Sequence, residues 1–272
     1  TTLSNRSTDA TNFLHITNYD NVANFSEGLA RVSILKDETL ISGYINENGS
    51  LVIPIIYSAA SYFKEGLAFV RLSGGHWGNR GGIKEYYYDN PLYGYINVKG
   101  ELIFDYVFSE ATNFKNGAAI VKYYGGYAII NKYGQIIKEL QDYDICKQFD
   151  TEGLALVGYY ENFKGGTRHY KYGYINSNGD LVIPIIYEYA SEFSDGVAWV
   201  QLNLESSEYE GIDINGKTII RLRLSPSCYN HVNPFINGEA EINVGDYTYF
   251  IDKKGNRLYG QTSYLQYYKI NK

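Results

Sequence analysis

The sequence has no methionine, two cysteines, five prolines and two tryptophans in 272 residues, and most of these scarcities exclude something. Cys146 and Cys228 are too few for a disulfide framework. No apolar run reaches the length that spans a bilayer, so insertion into a membrane is not expected. Neither end carries a recognisable signal segment. Because methionine is missing even at residue 1, the expectation is a chain that begins either after processing or at an artificial boundary, and the first of these leaves room for a cleaved signal peptide. Positive charge is also scarce. Lys and Arg number 24 against 30 Asp and Glu, the net charge is −6, and no basic block occurs. That balance argues against a nucleic-acid partner held through its phosphates.

What the chain has in abundance is tyrosine, 30 residues, with 12 phenylalanines beside them. Broad rings together with Ile and Val favour strands, whose pleated, half-buried surface suits such side chains. The length allows one large β domain or two ordinary ones.

Gly43–Tyr57 reads GYINENGSLVIPIIY, and Gly173–Tyr187 repeats it with only Glu47 replaced by Ser177 and Ser50 by Asp180. Slid along the chain, this segment exposes six weaker copies carrying two signatures. The first joins an aromatic (Tyr19, Tyr57, Phe108, Tyr143, Tyr187, Tyr229) to a phenylalanine six residues on (Phe25, Phe63, Phe114, Phe149, Phe193, Phe235). Midway sit Val22, Ala60, Ala111, Cys146, Ala190 and Val232, so Cys146 fills an alanine-like slot as an inert buried thiol. A turn glycine follows each phenylalanine, then Ala and Val or Ile at a spacing of two, as in Gly66, Ala68 and Val70. That spacing is one face of a short strand.

The second signature is Ile-Asn/Asp-x-x-Gly, from Ile45 to Gly49 and at five later places. Asn or Asp opens a type I turn and Gly takes the left-handed position that rejoins the strands. Pro54 and Pro184 lie inside the β-rich run that follows and mark an edge strand or a bulge. Each unit therefore reads as three strands and a short extended piece, with boundaries near 19–56, 57–107, 108–142, 143–186, 187–228 and 229–264. One such hairpin cannot bury its apolar face alone, so neighbours must cover it.

FSEGLARV, FKEGLAFV, YGYINENGSLVIPIIYSAA and YGYINSNGDLVIPIIYEYA resemble the units of the bacterial WG-repeat (KWG-repeat) family. The resemblance extends over about residues 19–260 in six degenerate copies. The family's Trp-Gly is Tyr93-Gly94 and Tyr172-Gly173 here, and the other units lack it. The resemblance implies a bacterial repeat protein and transfers no catalytic residue.

The expected fold is all-β, a single repeat domain over 1–272 built as a six-bladed β-propeller-like ring of short antiparallel sheets. The alternative is an open solenoid of stacked hairpins. Residues 1–18, with NFLHITN at 12–18, would serve as an N-terminal closing strand or a cap. Compact units near 34 residues are short for a four-stranded blade, which is the main objection to the ring.

Function is expected where the repetition stops. SGGHWGNRGGIKEYYYDNP (73–91) and YYENFKGGTRHYKY (159–172) are inserted at the same point of units two and four. Read as long loops on a rim, they offer His76, Trp77, Arg80, Tyr86, Tyr87, Tyr88, Arg168, His169 and Tyr170 as stacking faces and hydrogen-bonding groups. The expectation is a non-catalytic module, secreted or on a bacterial surface, that binds a protein or a glycan without a cofactor. A propeller-type hydrolase and a spacer with no ligand are the rivals. The four histidines lack ligand spacing, and Lys164-Gly165-Gly166-Thr167 places its lysine on the wrong side of the glycines for a phosphate loop.

Overall fold

Each Asn/Asp-x-x-Gly segment closes on itself in the same way. In the first, Asn46 Oδ1 accepts from the Asn48 and Ser50 N–H groups at 3.1 and 3.0 Å, and Gly49 takes φ +77°. Asn97, Asn176, Asp213 and Asp252 repeat the pair of bonds. These local turns help fix the register of the hairpins they close.

A computed structural model of the chain describes residues 19–36, 38–72, 76–80, 83–87, 92–162, 168–225 and 230–260, with 76–80, 83–87, 162, 168 and 169 described by their backbone. All regular structure among these residues is β-strand. The chain divides into two compact units, Thr1–Gly125 with Lys132–Gly134, and Gly126–Asn131 with Gln135–Lys272.

The first unit holds β1 (Asn21–Val22), β2 (Leu29–Lys36), β3 (Thr39–Asn46), β4 (Leu51–Ala60), β5 (Leu67–Leu72), β6 (His76–Arg80), β7 (Ile83–Tyr87), β8 (Tyr93–Asn97), β9 (Leu102–Phe108), β10 (Glu110–Ala111) and β11 (Ala118–Tyr123). Seven of these form one antiparallel sheet in the order β1-β2-β3-β4-β5-β8-β9. Strand β4 serves two repeats, pairing with β3 through Leu51, Ile53 and Tyr57 and with β5 through Tyr57, Ala59 and Ala60. The β3–β4 register shifts on either side of Tyr44, which places Pro54 in an irregular stretch, as its missing N–H requires.

The second unit holds β12 (Gly126–Asn131), β13 (Ile136–Leu140), β14 (Ile145–Phe149), β15 (Ala155–Asn162), β16 (Arg168–Ile175), β17 (Leu181–Tyr187), β18 (Tyr189–Ala190), β19 (Ala198–Gln201), β20 (Glu208–Ile212), β21 (Thr218–Arg223), β22 (Asn230–Val232), β23 (Glu239–Val244), β24 (Tyr247–Asp252) and β25 (Arg257–Gly260). Strands β14 to β17, β18 to β21 and β22 to β25 make three four-stranded antiparallel sheets in chain order. In the third repeat, β10 pairs with β11 in the first unit and β12 with β13 in the second.

Every repeat therefore has four strands. The extended piece between the paired aromatics is the first of them, only two residues long in β1, β10 and β18. Such short strands are how a repeat of modest length fits four, which removes the objection drawn from unit length. The small residue of that piece always pairs with the Val or Ile of the next strand: Val22 with Val32, Ala60 with Val70, Ala111 with Val121, Cys146 with Val157, Ala190 with Val200 and Val232 with Ile242. Cys146 is buried in that slot, as its place in the repeat predicts. The proposed cap at 1–18 and Cys228 lie outside the described residues.

Neighbouring repeats are joined by rings. Phe63 packs on Tyr44 of the preceding repeat at 4.9 Å between centroids, Phe114 on Tyr95 at 5.2 Å and Phe193 on Tyr174 at 4.8 Å. The same tyrosines donate their hydroxyls to backbone carbonyls just before those phenylalanines, Tyr44 to Ser61, Tyr95 to Thr112 and Tyr174 to Ser191, at 2.5 to 2.7 Å. A buried tyrosine thus contributes apolar area and leaves no phenol unpaired.

Carboxylates add a second joint. Glu27 accepts from the N–H groups of Glu65 and Gly66, Glu65 from Gly117, Glu152 from Gly196 and Asp195 from Gly238. Glu27, Glu65 and Asp195 hold φ between +54° and +57°, a left-handed conformation that is uncommon for residues other than glycine.

Candidate functional site

The second and third strands of a repeat are joined by its most variable connection. After β11 this is short, Tyr124 and Gly125 with φ +48° and +85°. In the second and fourth repeats it carries the two insertions, and the structure corrects the expectation that these are loops. Both are β-ribbons in their described parts.

In the second repeat, β6 and β7 form a separate two-stranded sheet. Its register pairs His76 with Tyr87, Trp77 with Tyr86, Gly78 with Glu85, Asn79 with Lys84 and Arg80 with Ile83. Five of the sequence-predicted residues, His76, Trp77, Arg80, Tyr86 and Tyr87, therefore share one hairpin, while Tyr88 lies outside the described residues.

In the fourth repeat the insertion lengthens β15 and β16 without a break in register. Their pairing runs from Ala155 opposite Ile175 to Asn162 opposite Arg168. Strand β14 accompanies β15 as far as Gly158, and β17 accompanies β16 as far as Tyr172. Beyond those points the ribbon is two-stranded, an arrangement of marginal stability in water unless side chains brace it.

Tyrosines brace it here. Tyr160 lies directly opposite Tyr170, with ring centroids 3.6 Å apart and planes tilted by 35°. Two residues along the same strand, Tyr172 stacks on Tyr170 at 5.8 Å and 29°. The hydrogen bond that the Tyr170 hydroxyl donates to Tyr160, reinforced by burial and by the nearby Tyr160, Asp144 and Tyr172, pushes the Tyr170 phenol up to about 12. Tyr160 remains 42% exposed, so the stack faces solvent in part.

Charged groups guard both edges of the ribbon. Asp144 Oδ2 accepts the Tyr160 N–H at 2.8 Å on the β15 side. On the β16 side Lys171 bonds Glu188 at 3.1 Å, and Glu188 also accepts the Leu204 N–H at 2.8 Å. Bound acceptors and charges of this kind discourage adventitious strand pairing.

Arg168, His169 and Tyr170 thus stand on one strand, with Arg168 opposite Asn162 and His169 opposite Glu161. Tyr160, Tyr172 and Asp144 are not among the sequence-predicted binding residues. The alternation of Tyr170 and Tyr172 was visible, but the partnership with Tyr160 depends on register across the hairpin. Among the described residues no group of three or more His, Cys, Asp and Glu side chains is placed to hold a metal ion. No helix there is long and apolar enough to cross a membrane.

The pattern of the family described as "WG containing repeat" matches residues 17–35, 43–77, 93–127 and 172–203. The fifth and sixth repeats rest on their sheets and turns instead, since the family pattern touches only the start of the fifth. No curated protein matches the sequence. Among solved structures, the β-propeller domain of the Trilobed protease from Pyrococcus furiosus, which has an open velcro topology, is 8% identical; the match covers 88% of this chain and 83% of that one with a TM-score of 0.51. Hsv2 of Kluyvelomyces marxianus is 9% identical over 91% of this chain and 77% of that one, with a TM-score of 0.50. A protein of unknown function from Bacteroides caccae is 16% identical over 71% and 72%, with a TM-score of 0.32. For the first two, at such identities, the likeness is one of fold. The fold is all-β and β-propeller-like, a series of small antiparallel sheets.

Proposed function

Because the chain belongs to the WG-repeat family, we propose that it is a non-catalytic binding module in which the repeats form one domain and the insertions at 73–91 and 159–172 recognise a protein or a glycan. One observation carries this reading. At the one connection where the other described repeats use a short turn or loop, the second and fourth build ordered ribbons rich in Tyr, Trp, Arg and His. A scaffold needs neither ribbon to bury its core, and Trp, Tyr and Arg are the residue types that most often anchor interfaces. The exposed part of the Tyr160–Tyr170–Tyr172 stack supplies a flat apolar surface with phenol groups at its rim. A bacterial setting, secreted or at the cell surface, rests on the family resemblance.

The test replaces each ribbon by the short connection after β11, singly and together, and checks folding by thermal melting. The intact and trimmed chains are screened on a glycan array and against bacterial and host lysates. Capture by the intact chain that a folded, trimmed chain loses supports the ribbons as the site. Equal capture by all forms moves recognition to the repeat surface. Capture by none favours a spacer, or an enzyme that holds its substrate too briefly to be captured.

A further inference from the structure

We propose that Tyr160 and Tyr170 are a site of oxidative cross-linking, at which a peroxidase using hydrogen peroxide joins the two rings through their Cε carbons and staples the β15–β16 ribbon. The inference stands on the ribbon's geometry and does not require that the ribbon bind a ligand.

Three features of the pair support it. The residues are direct cross-strand partners, so the backbone already holds their rings side by side. The centroids are 3.6 Å apart with a tilt of 35°, so the two rings overlap rather than meeting edge-on. The phenols are hydrogen-bonded to each other, and Tyr160 is 42% exposed, so a solvent-borne oxidant reaches the pair. Holding two reactants this close turns a bimolecular coupling into an effectively unimolecular one.

The chemistry balances without a metal or cofactor in the chain itself. Each phenol gives up one electron and one proton, leaving two phenoxyl radicals whose unpaired spin extends to the Cε carbons. These combine in a new Cε–Cε bond. The hydrogen on each bonded carbon then moves to its own oxygen and restores the phenol. Two tyrosines and one hydrogen peroxide yield one dityrosine and two waters, so the protein loses two hydrogen atoms.

Other tyrosine pairs are placed less well. Tyr172 stacks on Tyr170 but with centroids 5.8 Å apart, against 3.6 Å for Tyr160, while Tyr123 and Tyr124 meet at 5.4 Å and 66°, and Tyr189 and Tyr209 at 6.0 Å and 80°. Edge-on rings must swing further before their Cε carbons meet. Selectivity for Tyr160–Tyr170 among these pairs is therefore the distinctive expectation. A cross-link there would close residues 161–169 into a covalent loop, limiting the opened states a protease or a denaturant exploits.

The experiment treats the full chain with horseradish-type haem peroxidase and limiting hydrogen peroxide, then reads dityrosine fluorescence, intact mass and the cross-linked peptide. The expected product is a monomer lighter by two hydrogens whose dityrosine joins Tyr160 to Tyr170. Tyr160→Phe and Tyr170→Phe should each lose that fluorescence, while Tyr124→Phe keeps it. Both Phe variants retain the rings, and circular dichroism confirms that each is folded. A cross-link of equal yield in Tyr160→Phe, coupling that maps mainly to other tyrosines or between molecules, or no monomeric cross-link at all would overturn the assignment.

Discussion

Trp199 faces Gly211 across β19 and β20, and its indole fills the place that a tyrosine takes from the neighbouring strand in other repeats. Tyr44, Tyr95 and Tyr174 follow the glycine of a Gly-Tyr-Ile triplet, and the fifth repeat has Gly211 at the corresponding position, before Ile212. A Cβ on Gly211 would stand 3.2 Å from Trp199 Cζ3. From its own strand Trp199 reproduces both functions of the missing tyrosine. Its ring stacks on Phe235 at 5.6 Å, and its Nε1–H donates to the Asn233 carbonyl at 2.9 Å.

Trp199→Ala should therefore cost about 3–5 kcal/mol, the range for truncating a buried large aromatic. The double variant Trp199→Leu with Gly211→Tyr should recover much of that loss, whereas each single change is destabilising. Chemical denaturation of the four proteins checks this. A double variant as unstable as the sum of the singles would mean that the two positions do not share one space.

The joint made by Asp195 should be acid-sensitive. The Gly238 N–H, followed by the Lys253 ammonium, holds the Asp195 carboxyl below the usual carboxylate range. A depressed folded-state pKa gives stability that is present above the unfolded value and lost as pH falls through the folded one. Melting temperature should fall below about pH 4, and Asp195→Asn should shrink that fall. A variant with an unchanged acid limb would remove this carboxylate from the account.

A turn glycine should matter more where a neighbouring repeat presses on it. Gly28 and Gly134 share nearly the same left-handed φ, +79° and +76°. An added Cβ meets nothing within 4 Å at Gly28, but lies 2.8 Å from the Phe104 ring at Gly134. Ala at either position pays the backbone strain, of roughly 1 kcal/mol. Gly134→Ala should cost about 1 kcal/mol more than Gly28→Ala because the ring must also shift. Equal losses in denaturant titrations would contradict the contact.

Asp150 supplies a pH dependence of the opposite sign. It is buried, accepts from the Glu152, Leu154 and Phe193 N–H groups, and burial raises its carboxyl to about 6. A raised folded-state pKa means that its contribution is complete below the unfolded value near 4 and lost as pH climbs through about 6. Asp150→Asn should flatten stability between pH 4 and 7, with a constant loss from the unpaired Phe193 N–H of about 1–2 kcal/mol. A slope that survives the substitution would assign it to another group.

The parts of the fold written within one hairpin were legible in the sequence. Asn46 and Gly49 announce their turn, and Ala68 with Val70 their strand face, because the cause lies within a few residues. The joints between repeats were not. Glu27 reads as a solvated turn residue until Glu65 and Gly66, more than thirty positions on, are seen to donate to it. Phe149 to Gly153 contains one residue more than its counterparts, which is how Asp150 comes to build an Asn-like turn that no other repeat has there.

The series of turn residues also shows an order that single motifs hide. Glu27, Glu65 and Asn116 recur as Glu152, Asp195 and Asn237, and the Glu65–Lys132 ion pair recurs as Asp195–Lys253. Together with the near-identical 43–57 and 173–187 segments, this is a three-repeat block present twice. Of the candidate site, the positions of both insertions and their residue types were legible. Their ribbon form was not, since the pairing of Tyr160 with Tyr170 and Trp77 with Tyr86 is set by register rather than by composition.

The central claim is that recognition resides in the two ribbons, and calorimetric titration of the captured partner tests it most directly. The intact chain, each ribbon-trimmed chain and the Glu27→Gln variant, which alters a joint far from either insertion in sequence, are titrated side by side. Affinity that falls at least tenfold, about 1.4 kcal/mol, on trimming a ribbon and is unchanged in Glu27→Gln is the expected result. Undiminished affinity after both ribbons are trimmed would contradict it.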